Sequence, residues 1–272
     1  MAINNQDQLL AGMRPPVGIQ KASQAAEGAG TWHSLWKAVG YPVAGVNPPL
    51  LGAGSGYTPT NTTAGALPFV NPSGGQNTHL ARLAAAGGTV GTLIIYDRLW
   101  ACSGFNTTLL TAQNVTTPGD IPARDANGAA LGNGVELWLE VYTAPGATGA
   151  TWTVSYTNQA GTSGRSATYT HPANAESVGQ MMPMNFAAGD SGVRSVASLT
   201  CSVSSGTAGD VGITLVRRVA ELPIMLANVA SAMDALALGM PRIYNSSCLA
   251  MMVLCSATNT GLIQGSAVVS QG

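Results

Sequence analysis

A hairpin near the middle of the chain decides the fold class: residues 151–170 read TWTVSYTNQAGTSGRSATYT. Trp152, Val154 and Tyr156 alternate with threonine and serine, which is the period-two pattern of a half-buried strand. The turn formers of 158–164 follow, and a second strand-like run then returns. This order of strand, glycine-rich turn and strand predicts a β-hairpin.

Similar patterns fill the second half of the chain. Residues 193–203 and 211–219 flank a Ser/Gly-rich turn and predict a second hairpin, and residues 248–257 and 262–271 predict a third. Two further strands are predicted, at 91–100 and 135–142. Antiparallel hairpins at regular spacing predict a mainly β protein with an antiparallel β-sandwich or jelly-roll-like core.

One or two short helices are predicted beside these strands. The first spans Thr78–Ala86 and is ended by the glycine pair that follows. The second runs from Leu222 to Leu238 and is ended by Gly239 and Pro241. Its apolar residues recur at helical spacing and are expected to form one buried face: Leu222, Met225, Leu226, Val229, Met233 and Leu236.

The chain is predicted to consist of an extended N-terminal arm at residues 1–30 and a β domain at 31–272, with an alternative sub-boundary near 120–134. The arm is polar and contains Pro15-Pro16, which favours an extended path. A long Pro/Gly-rich loop follows at 42–76. Because such segments bury little apolar surface by themselves, both are expected to lie on neighbouring subunits.

Charged side chains make up 8% of the residues, against about 25% in a typical soluble domain. Three stretches contain no Asp, Glu, Lys or Arg: Ala38–Ala81, Val141–Gly164 and Ile243–Gly272. Exposed surface normally carries charge, because charge keeps a protein soluble. We therefore expect copies of the chain or other proteins to cover much of this surface.

The same composition argues against several classes of partner. The net charge is −1, and the only adjacent basic pair, Arg217-Arg218, lies in a predicted strand, so no nucleic-acid binding is expected. No apolar run reaches the length of about 18 residues that a membrane helix needs. The polar start at residues 1–8 lacks the features of a signal peptide, so we expect synthesis in a cytoplasm.

Gly189-Asp190-Ser191-Gly192 matches the sequence around the nucleophile of chymotrypsin-like proteases. His33 and Asp97 precede it in the chain order of that family, and catalysis would need all three side chains to form a hydrogen-bonded relay. The four residues are also typical of a turn that leads into the strand at Val193. We interpret the motif as a turn.

Glu136 and Glu140 flank Trp138 on one face of a predicted strand. Two carboxylates beside an aromatic ring would suit a sugar site. Carboxyl groups four residues apart on a strand lie about 13 Å apart, however, which is too far for most such sites. We interpret these residues as an exposed polar strand face.

The remaining residues with reactive side chains do not form a motif. Gly52–Gly56 is glycine-rich but lacks the lysine of a phosphate-binding loop. The cysteines and histidines lack metal-ligand spacing: Cys102, Cys201, Cys248, Cys255, His33, His79 and His171. Cys201, Cys248 and Cys255 lie in strand-like apolar runs and are expected to be buried free thiols. We predict no catalytic residue, no cofactor and no metal, and hence no enzyme.

Methionines cluster at Met181, Met182 and Met184, and again at Met251-Met252. Their flexible thioethers suit either core filling or an interface that adapts to slightly different neighbours.

The chain resembles a family of tailed-bacteriophage virion structural proteins in segments spread over residues 31 to 220. These segments read Trp32-His-Ser-Leu-Trp-Lys-Ala-Val-Gly-Tyr-Pro, Leu67-Pro-Phe-Val-Asn-Pro-Ser-Gly-Gly, Tyr96-Asp-Arg-Leu-Trp and Ala188-Gly-Asp-Ser-Gly-Val-Arg-Ser-Val. The resemblance implies an accessory head protein of the capsid decoration or cement type, with no enzymatic residues to carry over.

Such a protein would bind the major capsid protein and copies of itself in the virion. A homotrimer is the simplest expectation, because icosahedral shells offer threefold sites. A major capsid protein of the tailed-phage type is excluded, because it needs a long helix that is not predicted here. The alternatives are a tail, collar or receptor-binding component of the virion and, third, a hydrolase such as a protease or a glycosidase.

Overall fold

The computed structural model describes residues 3–24, 27–49, 56–115, 120–174, 176–259 and 261–272. Sixteen strands and two short helices lie in this part of the chain. In chain order they are α1 Gln6–Gly12, β1 Val17–Lys21, β2 Trp32–Ser34, β3 Gly40–Tyr41, β4 Thr78–Ala86, β5 Gly91–Phe105, β6 Gln113–Asn114, β7 Glu136–Thr143, β8 Ala150–Asn158, β9 Arg165–His171, β10 Gln180–Pro183, β11 Val193–Cys201, β12 Asp210–Ile224, β13 Ser231–Met233, α2 Ala235–Leu238, β14 Arg242–Ile243, β15 Leu249–Cys255 and β16 Ile263–Gln271. The prediction of a mainly β, antiparallel, sandwich-like fold is confirmed.

The chain forms two compact units. The terminal unit comprises Met1–Val46, Thr60–Asp97 and Arg218–Gly272, and the central unit comprises Asn47–Pro59 and Arg98–Arg217. Two of the four divisions fall within strands β5 and β12, and the other two fall in the long loop at 42–76. They differ from the boundaries expected at residue 30 and near 120–134, because strand pairing joins segments that are distant in the sequence.

The central unit has a four-stranded sheet in the order β6-β11-β8-β9 and a second set of paired strands, β12-β7-β10. The hairpin predicted at 151–170 is confirmed as β8 and β9, paired from Ala150↔His171 to Tyr156↔Arg165. Trp152, Val154 and Tyr156 are buried, as their alternation predicts. They pack in one core with Leu139 and Ile213 of the second set of strands.

The terminal unit has a sheet in the order β13-β4-β16-β1-β3, with β14 also paired to β4. Strand β15 pairs with β2 and with β5. Leu80, Leu83 and Val269 from the first sheet share a core with Leu93 and Met251 from the other strands. Each unit therefore buries its own apolar core.

In two of the predicted hairpins the strands form, but they pair with other strands instead of with each other. Strand β11 pairs with β6 and β8, and β12 pairs with β7. Likewise β15 pairs with β2 and β5, but β16 pairs with β1 and β4. The strands themselves were predicted, but their glycine-rich connections cross between sheets. Local alternation specifies a strand and its buried side, and it does not specify the partner.

The predicted helix Thr78–Ala86 is wrong, because these residues form strand β4. The register against β16 shifts at this point, because Val268 pairs with Arg82 and Val269 pairs with Leu80, so that Ala81 is an extra, bulged residue of β4. Leu80, Ala81 and Leu83 are consequently all buried. This spacing imitates one turn of an amphipathic helix, and the pairing with β16 overrides the helix propensity of alanine and leucine.

The predicted helix from Leu222 to Leu238 is also wrong. Strand β12 continues to Ile224, and a turn containing Asn228 at φ 60° leads to β13. Only Ala235–Leu238 is helical, capped by Asp234. Leu222 is buried in β12, so the apolar residues beyond the strand end no longer share a buried face with it.

The described part of the N-terminal segment is ordered by its own chain. Asn5 caps helix α1 by accepting a hydrogen bond from the backbone N–H of Gln8. Strand β1 then pairs with β16 from Val17↔Ala267 to Lys21↔Ile263. The neighbouring surface that the sequence led us to expect is supplied here by the last strand of the same chain.

The described residues of the long loop, 42–49 and 56–76, also contact their own chain. In the terminal unit the loop covers Trp36, whose Nε1 donates to the carbonyl oxygen of Val46 at 2.9 Å. A Cβ atom at Gly45 would lie 2.2 Å from the indole, so only glycine fits there. The backbone N–H of Leu67 donates to the Leu249 carbonyl oxygen at 2.8 Å.

Residues 121–135 lie inside the central unit and are organised by the buried Asp125. Its Oδ1 accepts hydrogen bonds from the backbone N–H groups of Asn127 and Ala129, at 2.9 and 2.8 Å. Its Oδ2 accepts from those of Leu131 and Asn133, at 3.2 and 3.1 Å. Burial opposes ionisation, but these backbone N–H groups keep the pKa of Asp125 below its usual value.

Candidate interaction surface

The Gly-Asp-Ser-Gly motif is a turn held by Asp190. The carboxylate accepts hydrogen bonds from Arg165 Nε at 2.8 Å, from the Tyr156 hydroxyl and from Asn158 Nδ2 at 2.7 Å. Arg165 and Tyr156 together lower the pKa of Asp190 to about 2. Ser191 is exposed, and its backbone N–H donates to Gln159 at 3.2 Å. The motif thus anchors the start of β11.

The other two residues of the protease hypothesis have different partners. His33 Nε2 faces the Gly28 N–H at 3.0 Å and the Thr31 hydroxyl at 2.8 Å, and its buried Nδ1 has no hydrogen-bond partner among the described residues. Asp97 accepts from the Ser247 hydroxyl at 2.6 Å and from the Cys248 N–H at 2.9 Å. A His33–Asp97 relay is therefore not formed.

The interpretation of Glu140 as part of an exposed strand face is wrong. Glu140 is buried and forms an ion pair with the buried Arg98, with an N–O distance of 2.8 Å. It also accepts hydrogen bonds from the Tyr142 hydroxyl at 2.6 Å and the Thr214 hydroxyl at 3.0 Å. The carboxylate of Glu140 is thus bound by one cation and two hydroxyl groups inside the central unit, which is how its buried charge is tolerated.

The arrangement around Glu136 does not favour a sugar site either. Its carboxylate accepts a hydrogen bond from Trp138 Nε1 at 2.8 Å. The Trp138 side chain has no exposed surface, so the ring cannot stack on a saccharide from solvent. Glu136 and Glu140 are thus engaged in contacts within the fold.

Cys201, Cys248 and Cys255 are buried free thiols, as predicted, and Cys102 is a fourth. Burial raises the pKa of Cys102 and Cys255 to about 12 and that of Cys201 to about 11, so these thiols stay protonated and unreactive. No group of His, Cys, Asp and Glu among the described residues could hold a metal ion. Neither helix in the described part of the chain has the length or apolar character that a membrane crossing needs. Of the Gly52–Gly56 stretch, only Gly56 lies within the described residues.

The methionine clusters fill cores. Met181, Met182, Met184, Met251 and Met252 are all buried. The alternative, that they form an adaptable interface, does not fit their positions within the chain. A different set of apolar residues is exposed instead.

Exposed apolar side chains are concentrated on the terminal unit. Of eighteen large apolar side chains that are exposed among the described residues, thirteen belong to the terminal unit and five to the central unit. The most exposed is Leu236, at 91%, followed by Val70 at 80%. Four of the six residues predicted to form a buried helical face are in this exposed set, namely Met225, Leu226, Val229 and Leu236.

Three turns meet at one edge of the terminal unit, and together they form what we call the apolar tip. The Asn228 N–H donates to the Gly87 carbonyl oxygen at 2.7 Å, and the Ser256 hydroxyl donates to the Val90 carbonyl oxygen at 2.7 Å. The described residues of these turns, at 87–90, 225–230, 256–259 and 261–262, include no Asp, Glu, Lys or Arg. Their exposed apolar side chains are Val90, Met225, Leu226, Val229 and Leu262, which are 39–72% exposed.

A groove of about 800 Å³ lies between α1, β4 and α2, and we call it the α1–α2 groove. Its apolar lining comes from Ile3, Leu9, Met13, Ala81, Leu236 and Met240. Two charged residues also line it, Arg82 on β4 and Asp234 at the start of α2. Asp234 accepts hydrogen bonds from the backbone N–H groups of Leu236 and Ala237, which fixes the single turn of α2.

The sequence contained the apolar residues of this surface but not their exposure. Helical spacing between Leu222 and Leu236 predicted burial on one face. The signal that could have corrected it is Asn228, since asparagine tolerates the left-handed conformation of a turn. A strand that ends at Ile224 and a turn at Asn228 leave the side chains between them facing outward.

No protein-family model matches the chain, and no curated protein matches it. A solved structure titled "Structure of infectious bursal disease virus Gt strain" aligns with 95% of this chain and 42% of that chain, at 13% identity and a TM-score of 0.10. The chain thus spans less than half the length of that protein, and a TM-score this low carries no argument about fold or function.

Proposed function

We propose that the protein is a structural component of a bacteriophage virion, an accessory subunit that binds and stabilises the capsid shell. The observation that carries the proposal is the apolar tip, a charge-free surface with five exposed apolar side chains on a protein that is only 8% charged. Surfaces of this kind mark contact sites for other proteins. The resemblance of four segments to phage virion proteins supports a virion as the assembly to which the protein binds.

Covering the apolar tip with another protein would contribute a favourable free energy. Full burial of a leucine, methionine or valine side chain contributes about 1.5–3 kcal/mol. Covering the partly exposed side chains of the tip would therefore offset a substantial part of the entropy lost on association. A virion shell offers a fixed protein surface that is repeated many times, so a modest contact energy at each site is multiplied across the particle.

The geometry around the Gly-Asp-Ser-Gly turn and around the two strand glutamates supports a structural role over catalysis. Asp190, Glu136 and Glu140 are bound to neighbouring donors, and His33 and Asp97 face other groups. We accordingly propose that the protein is not an enzyme, and that its partners are the major capsid protein and copies of itself, with a trimer as the simplest arrangement on a shell.

The test is co-sedimentation with empty capsid shells of the encoding phage. The variant Leu226→Asp places a charge in the tip, where the side chain is 61% exposed, so folding should not change. We expect shell binding to weaken at least tenfold. Leu110→Asp in the central unit is the matched control, because that leucine is 55% exposed, and it should bind as the unchanged protein does.

Two outcomes would contradict the proposal. One is that the unchanged protein does not sediment with shells at any concentration tested. The other is that electron microscopy finds it in rings or stacked tubes that bind tails, which would place it in the tail or collar.

A further inference from the structure

The α1–α2 groove combines an apolar opening with an apolar side chain that protrudes at the same place. Leu236 is 91% exposed on α2, and the neighbouring lining includes Leu9 and Met13. A one-turn helix cannot turn this leucine inward, because the Asp234 cap fixes its start and Gly239, at φ 68°, ends it. The structure thus holds a large apolar side chain in solvent beside a groove of suitable character.

The groove also carries one positively and one negatively charged side chain. Arg82 is exposed on β4, and Asp234 lies on the α2 side of the same groove. Within the described residues neither side chain takes part in an ion pair. A patch with one cation, one anion, a protruding leucine and an apolar opening has the side chains that pairing with a rotated copy of itself would need.

We propose that the α1–α2 groove is a contact between two copies of this chain related by a twofold axis, in which Leu236 of each copy enters the groove of the other and Arg82 of each faces Asp234 of the other. A twofold contact uses the same patch on both subunits and therefore needs this self-complementarity. The two ion pairs fix the register, and the leucines supply the apolar contact.

The form of the sheet edge favours this docking over strand addition. Strands β13 and β14 both pair with β4, and α2 lies between them along the chain. The Leu80 N–H of β4 donates to the Pro241 carbonyl oxygen at 3.0 Å. Edge strands as short as β13 and β14, interrupted by α2, disfavour pairing with a second sheet. Side-chain docking in the groove is therefore favoured over strand pairing for a second copy.

The contact is separate from the proposed shell binding and can be tested on the free protein. It joins copies in pairs, in addition to any threefold arrangement on a shell. A contact confined to this groove would bury little surface compared with a standard specific interface, so we expect association in the micromolar range or above. Failure of shell binding would not affect this test, and failure of this test would leave shell binding open.

The experiment is a charge exchange, followed by sedimentation velocity over a concentration series. Arg82→Glu alone and Asp234→Lys alone each bring like charges together across the twofold axis, and each should weaken pairing at least tenfold. An equimolar mixture of the two variants restores both opposite-charge contacts in the mixed pair. We expect the mixture to pair about as well as the unchanged protein.

Two further variants guard against effects on folding. Asp234→Asn keeps a side-chain oxygen for the helix cap and removes only the charge, so it should weaken pairing without changing the circular dichroism spectrum. Leu236→Asp changes an exposed side chain and should abolish pairing, whereas Leu110→Asp should not. The inference is overturned if the unchanged protein stays monomeric throughout, if Leu236→Asp pairs normally, or if the mixture of folded charge variants fails to pair.

Discussion

The central unit holds a buried ion pair and a buried aspartate that bind groups of the same unit, whereas the terminal unit carries most of the exposed apolar side chains among the described residues. Arg98 and Glu140 pair within the central unit, and Asp125 organises a loop through four backbone N–H groups. The terminal unit leaves Leu236 and Val70 in solvent. The difference indicates that the central unit completes its own contacts, while the terminal unit has surface that a partner can complete.

The central unit should be most sensitive to loss of a buried charge partner. Glu140→Ala leaves Arg98 buried without its carboxylate and should lower the free energy of unfolding by about 3–5 kcal/mol. Urea unfolding followed by circular dichroism measures this loss. Glu221→Ala is the control in the terminal unit, because its pair with Arg218 is exposed and contributes about 0–1 kcal/mol. Equal losses of unfolding free energy in Glu140→Ala and Glu221→Ala would contradict this difference between the two units.

The interior of the terminal unit is closely packed around Trp36, so its stability should be sensitive to added side-chain volume there. Gly45→Ala puts a Cβ atom 2.2 Å from the Trp36 indole and should cost about 1–3 kcal/mol by overpacking. Tryptophan fluorescence during urea unfolding reports it. Gly18→Ala is the matched control, since a Cβ atom there meets nothing within 4 Å. A Gly45→Ala protein as stable as Gly18→Ala would mean that the loop does not cover Trp36.

The smallest expected effect is an acid dependence in the central unit. The pKa of Asp190 is lowered from 3.8 to about 2 in the folded protein, so its contribution to stability is complete above pH 3.8 and is lost as the pH falls through 2. Asp190→Asn should therefore flatten the fall of stability in this acid range. Ser191→Ala should keep the acid dependence, because its hydroxyl is exposed in the turn. An unchanged acid profile in Asp190→Asn would show that another carboxylate carries the effect.

The strands of the fold could largely be predicted, and the candidate surface could not. Residues 151–170 alternate strictly, and their hairpin forms as expected. In β4 a bulge changes the alternation, and alanine-rich sequence then resembles a helix. Glu140 is a charged residue between apolar neighbours in the sequence, and its burial is tolerable because Arg98, forty-two positions earlier, and the Tyr142 and Thr214 hydroxyls bind its carboxylate.

The sequence alone shows which residues between 222 and 236 are apolar, but the fold decides which of them are exposed. Where β12 ends and how the chain turns at Asn228 depend on pairing with distant strands.

The sequence by itself determined the mainly β class, the buried thiols and the scarcity of charge, because alternation, side-chain polarity and composition are local properties. The tertiary structure alone decided which strands pair, that the N-terminal segment pairs with β16, and which apolar side chains stay exposed. These outcomes depend on residues far apart in the chain, and no local pattern specifies which distant surface will cover a given side chain.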